Sequence, residues 1–314
     1  MGTDSIQLEE YNILNPHYIY YKDSFLIFNS LQGERELQFL HINDKKVYNH
    51  YVIGQGKDEM INYWTVHNPY TEYYKFADTH TGKIYSINLD SLKNDSNICH
   101  KLSLSLPIKK GNHFFRFIET KDYILGVGII QNGRIWVYNK HTLISDEQQK
   151  YPSNKEINKI DFMHKGALFS RTLLSSNSQG NKLVTACFGL LDFYSISDDG
   201  KLVLEKENHY HFPLFEAMSS EGNAITYKKE DIVGVTGLHS DEKYVYVLYS
   251  NKTFEKAGLD AYNASHLLLF DWSGKPIIHY DLPKTLYSFT LYENTLYGLS
   301  REKTPIVYCF KLNQ

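Results

Sequence analysis

A degenerate internal repeat constrains what this chain can fold into more than any other feature. Six short segments share a strand-like character and an apolar-x-apolar ending or a close variant: residues 37–42, 83–87, 134–140, 190–196, 266–272 and 305–312. With Leu40, Tyr85, Tyr138, Tyr194, Phe270 and Phe310 as anchors, the intervals are 45, 53, 56, 76 and 40 residues, four of them near fifty. A period of that size marks architectures in which each unit buries its apolar surface only by stacking on its neighbours.

Around each anchor, alternating aromatic and β-branched runs are separated by Gly, Asn, Asp or Ser turns, as an antiparallel meander requires. The fifth unit shows the plan best: runs at 231–238 and 243–250, then 266–272, a Ser273-Gly274 turn, and 276–282. Four strands per unit, six times over, predicts an all-β fold, a six-bladed β-propeller forming one domain over residues 1–314. The excess of the 76-residue interval falls in 213–230 and 252–265, which read as loops. The sixth unit holds only three strands, and the alternating segment 5–11 is expected to fill its outermost position and close the ring. A β-sandwich would be about half as long, and a parallel sheet needs amphipathic crossover helices that are not evident. Helical turns are expected only within 146–157 and 208–218.

Composition agrees. Tyrosine contributes 26 residues and phenylalanine 17, against 8 prolines, a bias toward pleated, half-buried surfaces. The net charge of −3 argues against a nucleic-acid partner, since neutralising many phosphates needs a strongly basic face. The longest apolar stretch, 123–130, is far below the roughly 20 residues of a membrane-spanning helix. Cys99, Cys187 and Cys309 are odd in number, far apart and without a CxxC partner, and so read as buried small hydrophobes. The opening Met1-Gly2-Thr3-Asp4 has neither a basic region nor an apolar core; taken bare it reads as cytosolic, and it is equally the start left when an export signal is trimmed.

Residues 241–299 carry a family resemblance. The run Lys243-Tyr244-Val245-Tyr246-Val247-Leu248-Tyr249-Ser250, the stretch Leu269-Phe270-Asp271-Trp272-Ser273-Gly274-Lys275-Pro276 and the closing Tyr280-Asp281-Leu282 resemble the TolB-like six-bladed propellers of Bacteroides relatives. The segment from Ser175 to Val184, followed by Phe193-Tyr194-Ser195-Ile196, fits the same pattern, while the first half shares only its rhythm. The resemblance implies an exported, periplasmic or lipid-anchored envelope protein and brings no catalytic motif. Tyr63-Trp64-Thr65-Val66 is similar to a Tyr-Trp-Thr-Asp propeller repeat but lacks the aspartate.

In a propeller the innermost strand of each blade lines a central channel. The expected inner strands are 17–21, 61–67, 113–120, 169–175, 233–240 and 286–292, and their large polar residues need water or partners. Tyr63, His67, Arg116, Arg171, His239 and Tyr287 are therefore the candidate ligand-binding residues, for an unidentified protein, peptide or small molecule bound by a monomer. The plainer alternative is a water-filled channel whose lining satisfies itself. No metal ligand set and no cofactor is expected. His209 and His211 share a strand face as a metal pair would, but lack a third ligand and read as solvated outer-strand residues. A non-catalytic binding module follows. The alternative is a metal-dependent hydrolase of the lactonase type, resting on Glu119, Asp231, Asp241 and Glu293 near inner-strand ends. No G-x-S-x-G elbow is present, and Gly54-Gln55-Gly56 reads as a turn.

Overall fold

Six four-stranded antiparallel sheets, five of them meanders of consecutive strands and the sixth completed by the N-terminal strand, make up the propeller in the computed structural model, which describes residues 3–30, 36–51, 63–67, 72–92, 100–217 and 224–312. Blade one runs Pro16–Lys22, Phe25–Ser30, Glu36–His41 and Val47–Tyr51. Blade two runs Tyr63–Val66, Tyr73–Asp78, Lys83–Asn88 and Lys101–Ser105. Blade three follows with His113–Glu119, Tyr123–Ile129, Ile135–Asn139 and Ser145–Gln148. Blade four comprises Leu173–Ser176, Lys182–Cys187, Leu190–Ile196 and Leu202–His209. Blade five comprises Ile232–Ser240, Tyr244–Thr253, Ala264–Asp271 and Pro276–Leu286. Blade six takes Ser288–Tyr292, Thr295–Arg301 and Pro305–Lys311 from the end of the chain and its outer strand, Thr3–Gln7, from the start. Every repeat anchor lies on the third strand of its blade.

The first strands form the inner ring. His67 bridges Ile118 in parallel, and the Ile19 and Tyr21 amides donate to Ser288 Oγ at 3.3 Å and Thr290 Oγ1 at 3.1 Å. All inner strands thus run the same way along the axis, from what we term the front face to the back face.

Between consecutive blades sits one apolar cluster, and the period of two along each strand divides its side chains between two of them. Phe25 and Ile27 pack with Tyr74, Phe76 and Tyr85 of blade two, while the alternating Leu26 and Phe28 pack with Leu299 and Val307 of blade six. In blade five, Val245 and Val247 face Phe193 of blade four, and Tyr246 and Leu248 face Phe310 of blade six. Both faces of each sheet are buried, so the second and third strands read as continuous apolar runs. Each fully buried side chain of this kind contributes about 1.5–3 kcal/mol.

The N-terminal strand ends earlier than its sequence alternation suggests. Gln7 pairs with Ile306, and the next partner would be Pro305, which has no N–H to give. The chain instead makes a 3₁₀ turn, Leu8–Tyr11, that satisfies its own backbone and ends at Asn12 in the left-handed region, φ 57°. That turn drives Leu8 and Ile13, both 0% exposed, into the cluster between blades six and one.

Three insertions at the front depart from expectation. The helix near blade four is Phe162–Leu168, N-capped by Asp161, whose carboxylate accepts from the His164 amide at 2.9 Å. Within 146–157 the chain is instead the end of a strand, followed by coil and the start of the 3₁₀ turn Ile157–Lys159. The described part of 208–218, residues 208–217, is not helical, and 213–230 contains a small hairpin, Phe215–Ala217 with Ile225–Tyr227. The stretch 252–265 holds the short helix Phe254–Ala257 and the 3₁₀ turn Gly258–Tyr262. These pieces are too short for periodicity to reveal.

If ring closure carries this much burial, Leu8→Ala should lower unfolding free energy by about 2–5 kcal/mol, measured by denaturant titration. Unchanged stability would show that the N-terminal segment is not part of the ring.

Candidate functional site at the front of the channel

Polar side chains on the inner strands separate into two groups by depth. At the front, a cavity of 180 Å³ is lined by His17, Tyr18, Tyr63, Trp64, Arg116 and Tyr287 among others. A second space of 40 Å³ continues inward past Tyr18, Trp64 and Arg116 to His67 and Leu238. Arg116, on the inner strand of blade three, is common to both. Its guanidinium lies 4.9 Å from the centre of the Trp64 ring, and Nη1 donates to the carbonyls of Thr172 at 3.3 Å and Ser170 at 3.5 Å. Burial, with the Arg171 charge adding to it, pulls its pKa down despite the offsetting Tyr18 hydroxyl.

Arginine is scarce in this chain, occurring at positions 35, 116, 134, 171 and 301, with Arg35 outside the described residues. Of the other four, three gather at the front of the channel. Arg171 precedes the inner strand of blade four and is held between Phe188 and Tyr262, 5.4 and 4.8 Å from the ring centres. Arg301 lies over Tyr287 at 4.7 Å, with Nη2 3.4 Å from both the Pro16 carbonyl and His17 Nε2. None of the three forms an ion pair with a carboxylate among the described residues. Each is positioned by an aromatic face, an arrangement that leaves the in-plane N–H edge to meet an anion.

The deeper group is neutral. His67 and His239 pack edge to face at 5.5 Å, His67 also against Tyr20 at 5.5 Å. Burial lowers the His67 pKa to about 3, aided by His239 and Lys22, and burial alone lowers that of His239 to about 4. His67 Nδ1 has no hydrogen-bond partner among the described residues. Two uncharged imidazoles therefore stand behind a cationic front.

The sequence candidates thus do not form one cluster. Arg116 and Arg171 sense each other at the front, whereas His67 and His239 pair at depth. Tyr63 is 3% exposed and packs between blades one and two, presenting one edge to the front cavity. Tyr287 donates its hydroxyl to the Pro16 carbonyl at 2.5 Å, joining blade six to blade one, and burial raises its pKa to about 12. Arg171 lies ahead of the inner strand, which begins at Leu173 and not at 169. Tyr18, Trp64 and Arg301 escaped the sequence reading. Trp64 sits beside a residue that reading named, and Arg301 is on a second strand, where only the rarity of arginine marks it.

Other expectations change more. Asp231 precedes an inner strand and so lies at the front, while Glu119, Asp241 and Glu293 end or follow inner strands at the back. Glu119 is bound by Lys75 at 2.7 Å and Lys140 at 3.0 Å, and Asp241 accepts from Tyr246 at 2.6 Å. The four acids do not converge as the hydrolase alternative requires. His209 is not a plain solvated residue: its Nε2 lies 2.6 Å from Asp192 Oδ1, and the other Asp192 oxygen pairs with the fully buried Arg134. Burial opposes both charges, yet Arg134 and His209 hold the Asp192 carboxyl below the usual range. This network pins blade three to blade four. His211 packs on Gly189, where a Cβ would meet the ring at 2.2 Å, and contacts Tyr249 Oη at 3.1 Å. Cys187 is buried and Cys309 partly so, while Cys99 and Gly54-Gln55-Gly56 lie outside the described residues. Among described helices none is long and apolar enough to cross a membrane.

A family described as TolB-like 6-blade propeller-like matches residues 2–294. Among solved structures, a duf4221 family member from Bacteroides vulgatus aligns with a TM-score of 0.60 at 9% identity, covering 98% of this chain and 95% of its own. A Bacteroides fragilis protein whose name marks it as exported aligns at 0.55 and 10% identity, covering 100% and 95%. A luciferin-regenerating enzyme aligns at 0.56 and 11%, covering 98% and 95%. At these identities the likeness concerns the fold alone. No curated protein matches the chain.

Two expected outcomes follow from the charges at the site. Asp231 is 4% exposed, and burial lifts its pKa from 3.8 to about 6, against the Leu214 amide that donates to it at 3.1 Å and against the charge of Arg171, with which it forms no direct ion pair. A carboxyl with a raised folded pKa favours the fold below its unfolded value, and that contribution is lost as pH rises through the folded one. Asp231→Asn should therefore raise the melting temperature above pH 7 and leave it unchanged below pH ~4; a destabilised variant at pH 8 would refute the assignment. Asp192→Ala strands Arg134 and should cost about 3–5 kcal/mol by denaturant titration, whereas a loss below ~1 kcal/mol would mean that the network is not a pin.

Proposed function

We propose that this chain, which belongs to the TolB-like six-bladed propeller family, is an exported binding module of the cell envelope that receives an anionic group of its ligand at the front of its channel. The observation that carries the reading is the set of three arginines, each laid on an aromatic ring and none ion-paired with a described carboxylate, beside a cavity of 180 Å³. Arg116 and Arg171 feel each other's charge, a cost in the free protein that an incoming anion repairs. The export reading is supported by the family and by the Bacteroides fragilis neighbour named for it.

Tyr63, Tyr287, Arg116 and Arg171 belong to the receiving end in this reading, with Tyr18, Trp64 and Arg301 added. His67 and His239 form the uncharged floor. The cavity is smaller than the roughly 300–1,000 Å³ of pockets that enclose drug-sized ligands. It suits a carboxylate or phosphate headgroup, or the acidic end of a peptide, with the remainder lying across the front insertions. A planar guanidinium with two free N–H groups on one edge matches either oxyanion bidentately.

The test is thermal unfolding with inorganic phosphate and succinate as probes, on the parent protein and on Arg116→Met, which keeps the bulk and removes the charge. An anion at ~100 times its dissociation constant stabilises by about 2.7 kcal/mol. The parent should gain melting temperature with at least one probe, and the folded variant should not. Equal gains in both proteins, or gain only with neutral compounds, would contradict the reading.

A further inference from the structure

Away from the channel, the outer half of blade five places three metal-binding side chains on one patch. His266 and Asp281 are direct cross-strand partners on the third and fourth strands, and His279 is two residues from Asp281 on the same strand, hence on the same face. His266 Nδ1 lies 2.8 Å from Asp281 Oδ1 and 3.1 Å from His279 Nε2, and His279 Nε2 lies 3.3 Å from the same Asp281 oxygen. Three donor atoms from three side chains form one small triangle.

Hydrogen bonding accounts for at most two edges of that triangle. With the carboxylate ionised, His266 Nδ1 and His279 Nε2 bring at most two protons to three edges. If both imidazoles donate to Asp281, their N–H groups stand side by side. If one donates to the other, two lone pairs face each other across a remaining edge. A single cation at the centre accepts a lone pair from all three atoms at once.

The edges also have the right length. For a zinc ion with bonds of about 2.0–2.1 Å in tetrahedral geometry, neighbouring donors are separated by about 3.3 Å. The observed edges of 2.8, 3.1 and 3.3 Å need only small side-chain adjustment to reach this. Two imidazoles and one carboxylate are a donor set for borderline divalent metals; magnesium and calcium require oxygen ligands. His266 is 24% exposed at its side chain, His279 52% and Asp281 78%, so the patch opens to solvent and leaves a fourth position free.

The other grouping of this type among the described residues, Asp192 with Glu207 and His209, does not suit a cation. Asp192 already pairs with the buried Arg134 guanidinium, whose positive charge repels one. Among the described residues no lysine or arginine forms an ion pair with Asp281. It also borders a 640 Å³ apolar groove in the wedge between blades four and five, lined by Leu191, Tyr210, Tyr249, Leu268, Ile277 and His279 among others.

We propose that His266, His279 and Asp281 form a divalent transition-metal site of the zinc type on the rim of blade five, with one open coordination position at the edge of that groove. It is separate from the channel and independent of the function proposed there.

Tag-free protein, stripped with chelator, is titrated with Zn²⁺ by calorimetry in the presence of excess Mg²⁺. The parent should bind one equivalent that Mg²⁺ does not displace. His266→Ala and Asp281→Asn should each weaken it by about tenfold or more, while His141→Ala, a distant exposed histidine, should leave it unchanged. All three substitutions are at solvent-accessible positions, and circular dichroism checks their folding. Absence of saturable binding, or affinity unchanged in both site variants, overturns the proposal. So does loss of binding on Glu207→Gln with retention in His266→Ala, which would place the ion at the other cluster.

Discussion

Burial of both faces of every blade is the constraint on which the rest of this structure depends. A four-stranded antiparallel sheet alone exposes at least one apolar face, and here each strand sends alternate side chains into two different clusters. Leu26 and Ile27, adjacent in sequence, belong to different interfaces. Such a sheet has no stable outer boundary until a neighbour covers each side, and a closed ring meets that condition without leaving an end. The aromatic excess has its explanation in this geometry. Blades diverge from the axis outward, and large flat rings such as Phe76, Tyr85 and Trp136 fill the widening space between them.

Ring closure then fixes where chemistry is possible. Inner strands run parallel, so everything preceding them gathers at the front and everything following them at the back. The three arginines come from three different structural positions, an inner strand, the loop before one and the end of a second strand, and meet because all of these point to one end of the axis. The neutral histidine pair behind them gives the channel a polarity along its length. At the front, charge is held in place by aromatic faces and backbone carbonyls, whereas between blades three and four Arg134 is held by the Asp192 carboxylate.

The repeat and the blade plan were legible in the sequence because strand patterning and turn residues are local signals, and all six anchors fall on equivalent strands. The insertions were not, since Phe162–Leu168 is two turns long and the 215–227 hairpin has three-residue strands. The site was half legible. Inner-strand polarity is sufficient to name Arg116 and His239, but depth along the axis is not written in any local pattern, so residues at opposite ends were grouped together. Arg301 and the Arg134–Asp192–His209 network depend on contacts between blades tens of residues apart, for which one sequence offers no sign. The same holds for His266, His279 and Asp281, whose meeting requires the register of two strands.

Whether the front of the channel receives an anionic group is decided by a structure of the protein determined with inorganic phosphate. Phosphate is expected at the guanidinium edge of Arg116 beside Trp64, with Arg171 or Arg301 turned toward it. A channel containing only water, with phosphate held elsewhere on the surface, would contradict that expectation.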